Sequence, residues 1–203
     1  IVRYPPLKKD SYYDARGVKS IAKGAFRDCI NLEEIAVNSS SEPMIIGREA
    51  FDGCKNLVTV TGFESTNPTL DMTFNGCEKL ASIQLPKTVE EIGYGTFQGC
   101  TSLTGDLVIP DNIKTIGNEA FKGCTGFDGE LKFGKALKSI GANAFQGCSN
   151  LIGNIIIPDA VEVIEQEAFE GCVKLLQAGG ELRLGKKLKS IGYGCFNNSY
   201  TCL

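Results

Sequence analysis

A twelve-residue phrase recurs along the chain and limits what it can fold into. Residues 113–124 read IKTIGNEAFKGC, residues 137–148 read LKSIGANAFQGC, and residues 161–172 read VEVIEQEAFEGC. A fixed period of this length is typical of a repeat array in which each unit is one small structural element. Anchored on its phenylalanine, the phrase occurs eight times at spacings of 23 to 27 residues: Phe26, Phe51, Phe74, Phe97, Phe121, Phe145, Phe169 and Phe196.

Three further positions keep a fixed distance from this phenylalanine. An isoleucine stands five residues before it in all copies except the third, which has Thr69, and a leucine or Phe127 stands six residues after it in the first seven copies. A cysteine stands three residues after it in the first seven copies, and Ser199 takes that place in the eighth: Cys29, Cys54, Cys77, Cys100, Cys124, Cys148 and Cys172. One unit has too few apolar residues to fold alone, so neighbouring units must stack to bury a continuous column of Ile, Phe, Cys and Leu.

A short alternating stretch lies between successive phrases. Alternation with a period of two predicts a strand with one buried face, and the Pro or Gly that follows each stretch ends the strand. The sequence therefore predicts a β-rich solenoid of about eight coils of 23–27 residues, with one short strand per coil forming a parallel sheet and the phenylalanines forming an aromatic spine. The predicted strands are Ile83-x-Leu85, Leu107-x-Ile109, Leu131-x-Phe133, Ile155-x-Ile157 and Leu182-x-Leu184.

The unbroken phasing predicts that residues 1–203 form a single domain. We expect an irregular part-coil over residues 1–17, repeats over residues 18–199 and a C-terminal remnant over residues 200–203. In the later half, coils with an Ile-Pro turn (Ile109-Pro110, Ile157-Pro158) alternate with coils that have a Gly-Lys turn (Gly134-Lys135, Gly185-Lys186). This alternation indicates that the unit there is a pair of coils.

Two stretches, IGNEAFKGCTGF and LASIQLPKTVEEIGYGTFQGC, resemble the BspA-like leucine-rich repeat family of bacterial and protist surface proteins. The resemblance covers residues 18–199. The third copy, NPTLDMTFNGC, departs from it by lacking the Ile-Gly pair, and the loops NSSSEPM and LLQAGGE lengthen two coils. The resemblance implies a leucine-rich repeat solenoid, an extracellular or cell-surface location, and adhesion to another protein of the host matrix or of a microbial surface. It implies no catalytic residues.

Charge and composition exclude several other functions. The net charge is −3 and the isoelectric point is about 5.2, which argues against binding to nucleic acid or to an anionic membrane surface. No apolar run approaches the roughly 18 residues of a membrane helix, so we expect no membrane insertion. We also expect the chain to be a monomer. The chain begins at Ile1 without a signal peptide, and we interpret it as a mature fragment or a trimmed chain.

Histidine is absent from the chain. Its absence excludes Ser-His-Asp triads, Cys-His pairs and HExxH zinc sites. No loop is dense in oxygen ligands for calcium. We therefore expect no enzyme activity, no cofactor and no metal site.

The nine cysteines allow more than one interpretation. Zinc binding would need closely spaced pairs, which do not occur. Stacked coils would hold equivalent Cα atoms about 4.8 Å apart, which permits a disulfide, but equivalent side chains point the same way and their Cβ atoms would not close to about 3.8 Å. We favour small buried hydrophobic residues, including Cys195 in the usual alanine place and Cys202 in the usual leucine place, and leave disulfides open as the alternative.

The outward side chains of the predicted strands form the candidate binding surface. Like charges next to each other in a column, such as Asp106 and Glu130, cost free energy unless something offsets them. In one interpretation Lys132 and Arg183 offset them as ordinary cross-strand pairs. In the other, the mixed charges and exposed apolar groups bind a protein partner, since solenoids commonly bind on such faces. The candidate residues are Asp106, Glu130, Lys132, Ile156, Glu181 and Arg183.

Two alternatives remain at the level of function. The chain could be a structural spacer that presents another domain and has no ligand of its own. If it does bind a partner, the loop edge formed by NSSSEPM and LLQAGGE is the rival site, because binding residues often gather in loops.

Overall fold

The computed structural model describes residues 10–37, 43–68 and 70–199. Within these ranges the chain winds into stacked coils, and neighbouring coils pair through short parallel strands. The parallel-strand solenoid predicted from the repeats is confirmed. Thr69, Cys202 and the first five residues of NSSSEPM lie outside the described residues, as do parts of the predicted N-terminal part-coil and all of the C-terminal remnant.

One series of strands, which we call the first face, contains the alternating stretches recognised in the sequence. Its strands pair in parallel in three groups, β1-β3-β5, β8-β10 and β12-β14. The strands are β1 (Tyr12–Asp14), β3 (Glu34–Ala36), β5 (Thr59–Thr61), β8 (Leu107–Val108), β10 (Leu131–Lys132), β12 (Ile155–Ile156) and β14 (Leu182–Arg183).

A second series of strands, which we call the second face, was not predicted. Most of its strands end on the repeated isoleucine, and they form a three-stranded sheet, β2-β4-β6, and a five-stranded sheet, β7-β9-β11-β13-β15. Each strand is two residues long, too short to show alternation in the sequence. They are β2 (Ser20–Ile21), β4 (Ile45–Ile46), β6 (Asn67–Pro68), β7 (Glu91–Ile92), β9 (Thr115–Ile116), β11 (Ser139–Ile140), β13 (Val163–Ile164) and β15 (Ser190–Ile191).

The predicted strand Ile83-x-Leu85 does not form, and this prediction was wrong. Residues 81–86 have no ladder partner on either side within the described chain. The preceding coil takes a different path here, because β5 is followed by a 3₁₀ helix, Phe63–Ser65, whose phenylalanine is buried. The Phe63 ring packs edge-on against Phe74 with the ring centroids 5.0 Å apart. The first face is therefore interrupted at this coil.

The aromatic spine is confirmed. The eight repeat phenylalanines form one stack from Phe26 to Phe196, with successive ring centroids 5.2 to 5.7 Å apart and ring planes within 24° of parallel. These separations lie in the range of favourable offset stacking. Five of the rings, Phe51, Phe74, Phe97, Phe145 and Phe169, are among the largest fully buried side chains of the described chain.

The repeat phrase bends the backbone on both sides of each phenylalanine. The residues two before and two after it have positive φ angles, for example Glu119 at 58° and Gly123 at 72° around Phe121. Positive φ is least costly for glycine, which explains the repeated Gly-Cys pair. The bend aims the N–H of Phe121 at the carbonyl of Ala144 in the next coil, at 2.8 Å.

The cysteine ladder has a hydrogen-bonding role that the sequence did not reveal. From the second to the seventh copy, each Sγ donates to the carbonyl oxygen of the phenylalanine one coil earlier, at 2.9 to 3.2 Å. In the eighth copy the hydroxyl of Ser199 donates to the carbonyl of Phe169 in the same way. The position thus requires a small side chain that can donate a hydrogen bond, and both cysteine and serine meet that requirement.

All eight described cysteines are buried, and no disulfide joins any two of them. Burial raises the pKa of Cys172 to about 12 and that of Cys195 to about 11. Because the thiolate is the reactive form, these two thiols stay protonated and react slowly at neutral pH in the folded chain.

Because all eight described cysteines are buried, thiol titration at mildly alkaline pH should label few of them in the native protein. After denaturation without reductant, all nine cysteines of the chain should react. A denatured count that rises only when a reductant is added would reveal disulfides, and rapid native labelling of several groups would show that the ladder is exposed.

The structure explains the alternation of Ile-Pro and Gly-Lys turns. Asp111, which follows the Ile-Pro turn, accepts a hydrogen bond at its Oδ1 from the backbone N–H of Lys135 in the next coil, at 2.9 Å. Asp159 accepts in the same way from Lys186, at 3.2 Å. The glycine before each lysine is required by space, since a Cβ on Gly134 would lie 2.3 Å from the carbonyl oxygen of Pro110.

Candidate binding face

The alternation of the first-face strands places the predicted side chains outside the core. Leu107 and Ile109 are buried, while Val108 between them is 58 % exposed. Of the six candidate residues, five are exposed and Ile156 is partly buried. The six therefore lie on one accessible surface, which β8, β10, β12 and β14 position.

Three of the six candidates form an ion cluster. The Lys132 Nζ lies 2.6 Å from Asp106 Oδ2 and 3.2 Å from Glu130 Oε2, and the backbone N–H of Glu130 donates to Asp106 Oδ1 at 2.9 Å. The hydrogen bond from Lys132 lowers the pKa of the Asp106 carboxyl and in turn raises the pKa of Lys132. For Lys132, the interpretation as an ordinary cross-strand pair therefore describes the structure.

Arg183 does not take part in such a pair, so that interpretation is wrong for this residue. Its strand neighbour in β12 is Ile156, and it makes no ion pair within 4 Å among the residues that the structure describes. Nearby, the backbone N–H of Glu181 donates a hydrogen bond to Asn154 Oδ1 at 2.7 Å. The guanidinium of Arg183 is thus available to an external group.

An open groove of about 810 Å³ brings four of the six candidates together. Its apolar surface comes from Phe133, Ile156, Pro158 and Leu184, and Leu184 is 44 % exposed. Asp106 and Glu181 do not line it. The predicted residues in the groove are Glu130, Lys132, Ile156 and Arg183. Five further lining residues were not predicted as part of the site: Phe133, Lys135, Leu184, Lys186 and Lys187.

The lysines of the groove could have been found from the sequence. Lys135 and Lys186 stand in the Gly-Lys turns of the two-coil pattern, directly after the strands that carry Lys132 and Arg183. The turn residues of alternate coils therefore extend the strand face, and the candidate site is wider than the strand columns alone.

A second cavity of about 420 Å³ opens where residues 81–86 fail to pair with β8. Asp106 and Val108 lie at this cavity, together with core residues such as Phe97 and Phe121. It reaches into the apolar interior because the first face is interrupted there.

The rival loop site is only partly described. In LLQAGGE, residues Gln177–Gly179 form a 3₁₀ helix and Leu176 has a φ of 59°. The loop is fixed to the solenoid, because the N–H of Leu176 donates to the carbonyl of Gly153 at 3.0 Å and the Gln177 side chain donates to the carbonyl of Val173.

Within the described ranges, no three Cys, Asp or Glu side chains gather as ligands around a metal ion would. The same ranges contain no helix with the length and apolar character needed to span a membrane.

Parallel strands on two faces, repeated about every 24 residues around a stack of phenylalanines and a ladder of cysteines, define a leucine-rich repeat solenoid. The family model for the BspA type leucine rich repeat region matches residues 19–152 and 103–202, in six copies. The chain therefore belongs to the BspA-type leucine-rich repeat family, as the resemblance of its repeat phrases indicated.

Among the solved structures that resemble the chain are two bacterial leucine-rich repeat proteins. A leucine-rich repeat protein from Bacteroides ovatus is 28% identical with a TM-score of 0.74, and the match covers 86% of this chain and 43% of that one. The T. pallidum leucine rich repeat protein is 26% identical with a TM-score of 0.54, and the match covers 91% of this chain and 72% of that one. The chain thus spans less than half the length of the Bacteroides ovatus protein. No curated protein matches the sequence.

Proposed function

We propose that this chain is a non-catalytic protein-binding and adhesion module of a secreted or cell-surface protein. Residues 1–203 form a single, monomeric solenoid domain in this proposal, and the partner is a protein of the host matrix or of a microbial surface. Leucine-rich repeat solenoids commonly mediate protein–protein interaction, and membership of the BspA-type family supports the adhesive role.

The groove on the first face is the observation that best supports this proposal. It combines exposed apolar groups with a rim of charged side chains, and a partly apolar centre with a polar rim is the usual anatomy of a protein interface. In this proposal Glu130, Lys132, Ile156 and Arg183 contact the partner within the groove. Asp106, which pairs with Lys132, and Glu181, which directly precedes β14, flank it.

A single substitution at the centre of the groove tests the binding function. The immobilised chain is incubated with solubilised matrix and microbial surface proteins, and the retained proteins are identified for wild type, Ile156→Asp and Val173→Asp. Val173 is the matched control, since it is a 42 % exposed aliphatic residue outside the groove. Wild type and Val173→Asp should retain the same partner, and Ile156→Asp should lose it, because a desolvated carboxylate in the interface is costly.

Two results would contradict the proposal. If wild type retains no specific protein, the chain is a spacer. If Ile156→Asp retains the partner while a chain with a shortened LLQAGGE loop loses it, the loop edge is the binding site.

A further inference from the structure

The charge of the groove is opposite to that of the chain. Among the described residues that line it, five are basic and two are acidic, whereas the whole chain has a net charge of −3. A positive groove on a negative protein attracts anionic groups in preference to cationic ones.

Three of the five basic groups make no ion pair within 4 Å in the described part of the chain. Lys132 pairs with Asp106 and Glu130, and Lys186 pairs with Asp159 at 3.2 Å. In the described part of the chain, the side-chain nitrogens of Lys135, Arg183 and Lys187 lie within 4 Å of no carboxylate. All three side chains are exposed on the groove, so an arriving anion need not displace an existing ion pair.

The groove also contains an unused backbone hydrogen-bond donor. At equivalent positions in other coils, the N–H groups of Ile109 and Ile157 donate to the carbonyls of Lys132 and Arg183 in the next coil, both at 2.8 Å. The N–H of Phe133 has no such acceptor among the described residues, whereas an isolated parallel bridge joins Glu130 to Ile152 directly before β10. The cause is that β10 and β12 are not paired with each other, so the first-face sheet is open beyond the bridge between Glu130 and Ile152.

Exposed strand edges of this kind are used to bind an extended peptide by main-chain hydrogen bonds. Building on the binding function proposed above, we infer that the groove between β10 and β12 binds an extended peptide segment of the partner in which acidic and apolar residues alternate. Side chains of an extended peptide alternate between two sides. The apolar side chains of the peptide contact Phe133 and Ile156, and one of its carbonyls accepts from the free N–H of Phe133. Its carboxylates reach Lys135, Arg183 and Lys187.

The open edge distinguishes a peptide from an anionic polysaccharide. A polysaccharide could pair with the three cations, but it has neither the regular main-chain donors and acceptors of a strand nor aliphatic side chains for Ile156 and Leu184. The combination of cations, apolar surface and a free backbone N–H in one groove therefore favours the peptide.

Fluorescence titration with short labelled peptides tests this inference. The probe peptide alternates glutamate with leucine. The comparison probes alternate lysine with leucine or glutamate with serine, and a further probe is the Glu-Leu peptide N-methylated at alternate amides. We expect the Glu-Leu peptide to bind, with an affinity that falls as salt rises, and each comparison peptide to bind more weakly by about tenfold or more.

Two triple variants of equal net charge provide the protein controls. Lys135→Glu with Arg183→Glu and Lys187→Glu should weaken binding of the Glu-Leu peptide by at least about tenfold, equivalent to about 1.4 kcal/mol. Lys19→Glu with Lys79→Glu and Lys174→Glu changes three exposed lysines outside the groove and should leave the affinity nearly unchanged.

The outcomes separate this inference from the proposed function. Equal binding to both triple variants, or tighter binding of the Lys-Leu peptide, would overturn the acidic-peptide inference. So would binding of a sulfated polysaccharide in place of the peptide. If any of these three results is obtained while Ile156→Asp still abolishes capture of the protein partner, the proposed function stands and only the peptide chemistry is wrong.

Discussion

Replacing Phe145 by alanine should destabilise the chain by about 3–5 kcal/mol, the usual cost of removing a buried phenylalanine ring. The ring is fully buried and stacks on Phe121 at 5.4 Å and on Phe169 at 5.2 Å between centroids. Phe133 also packs edge-on against it at 5.8 Å. Its loss therefore leaves a cavity at two coil interfaces, and urea unfolding followed by circular dichroism measures the change in unfolding free energy.

Two further variants serve as comparisons in the same unfolding experiment. Phe121→Ala should behave like Phe145→Ala, because this ring also has a spine neighbour on each side. Tyr193→Ala removes an aromatic ring that is 81 % exposed and should change the stability by no more than about 0.5 kcal/mol. Equal stabilities for Phe145→Ala and wild type would show that the phenylalanine stack does not hold the coils together.

Gly134→Ala should cost about 1–3 kcal/mol, as overpacking does in a close-packed interior. The new Cβ would lie 2.3 Å from the carbonyl oxygen of Pro110 and 2.6 Å from its carbonyl carbon. Both are backbone atoms and cannot rotate away, so the two coils must separate. That separation also weakens the hydrogen bond from the Lys135 N–H to Asp111.

Lys135→Ala is the matched control for this substitution. It changes the adjacent, exposed residue but keeps the backbone N–H that bonds to Asp111. Its effect on the melting temperature should be small. If Gly134→Ala were equally harmless, the close approach of the two turns would not be what requires glycine there.

The spine and the cysteine ladder could be predicted because a repeat array turns sequence spacing into spatial stacking. Phe121 and Phe145 recur 24 residues apart, and each coil brings its copy onto the previous one. The second face could not be predicted in this way. A strand such as Ser139–Ile140 has only two residues, and its pairing depends on the register of the neighbouring coils rather than on local alternation.

The sequence also did not indicate which of the alternating stretches would fail to pair with a neighbouring coil. Residues 83–85 alternate as well as Leu107-x-Ile109 does, yet only the latter stretch pairs. The difference arises in the preceding coil, where Phe63 enters the core through a 3₁₀ helix. The gap between β10 and β12 is likewise a property of neighbouring coils, and it creates the groove.

The candidate site was predicted in outline from outward alternation, but its charge pairing was not. Lys132 reaches two carboxylates, whereas Arg183, in the same column, lies beside Ile156 and reaches none within the described chain. Which carboxylates a basic side chain can pair with depends on the three-dimensional neighbours of its strand. The order of positions in a sequence column does not give those neighbours.

Hydrogen exchange of the chain, alone and with its captured protein partner, measures most directly which surface the partner covers. We predict slower exchange over residues 131–135, 155–159 and 182–187, and above all at the N–H group of Phe133, which gains an acceptor on binding. The second-face strands, such as Ser139–Ile140, should exchange equally with and without the partner. Protection confined to the second face or to Gln177–Gly179, with the groove unchanged, would contradict binding at the first face.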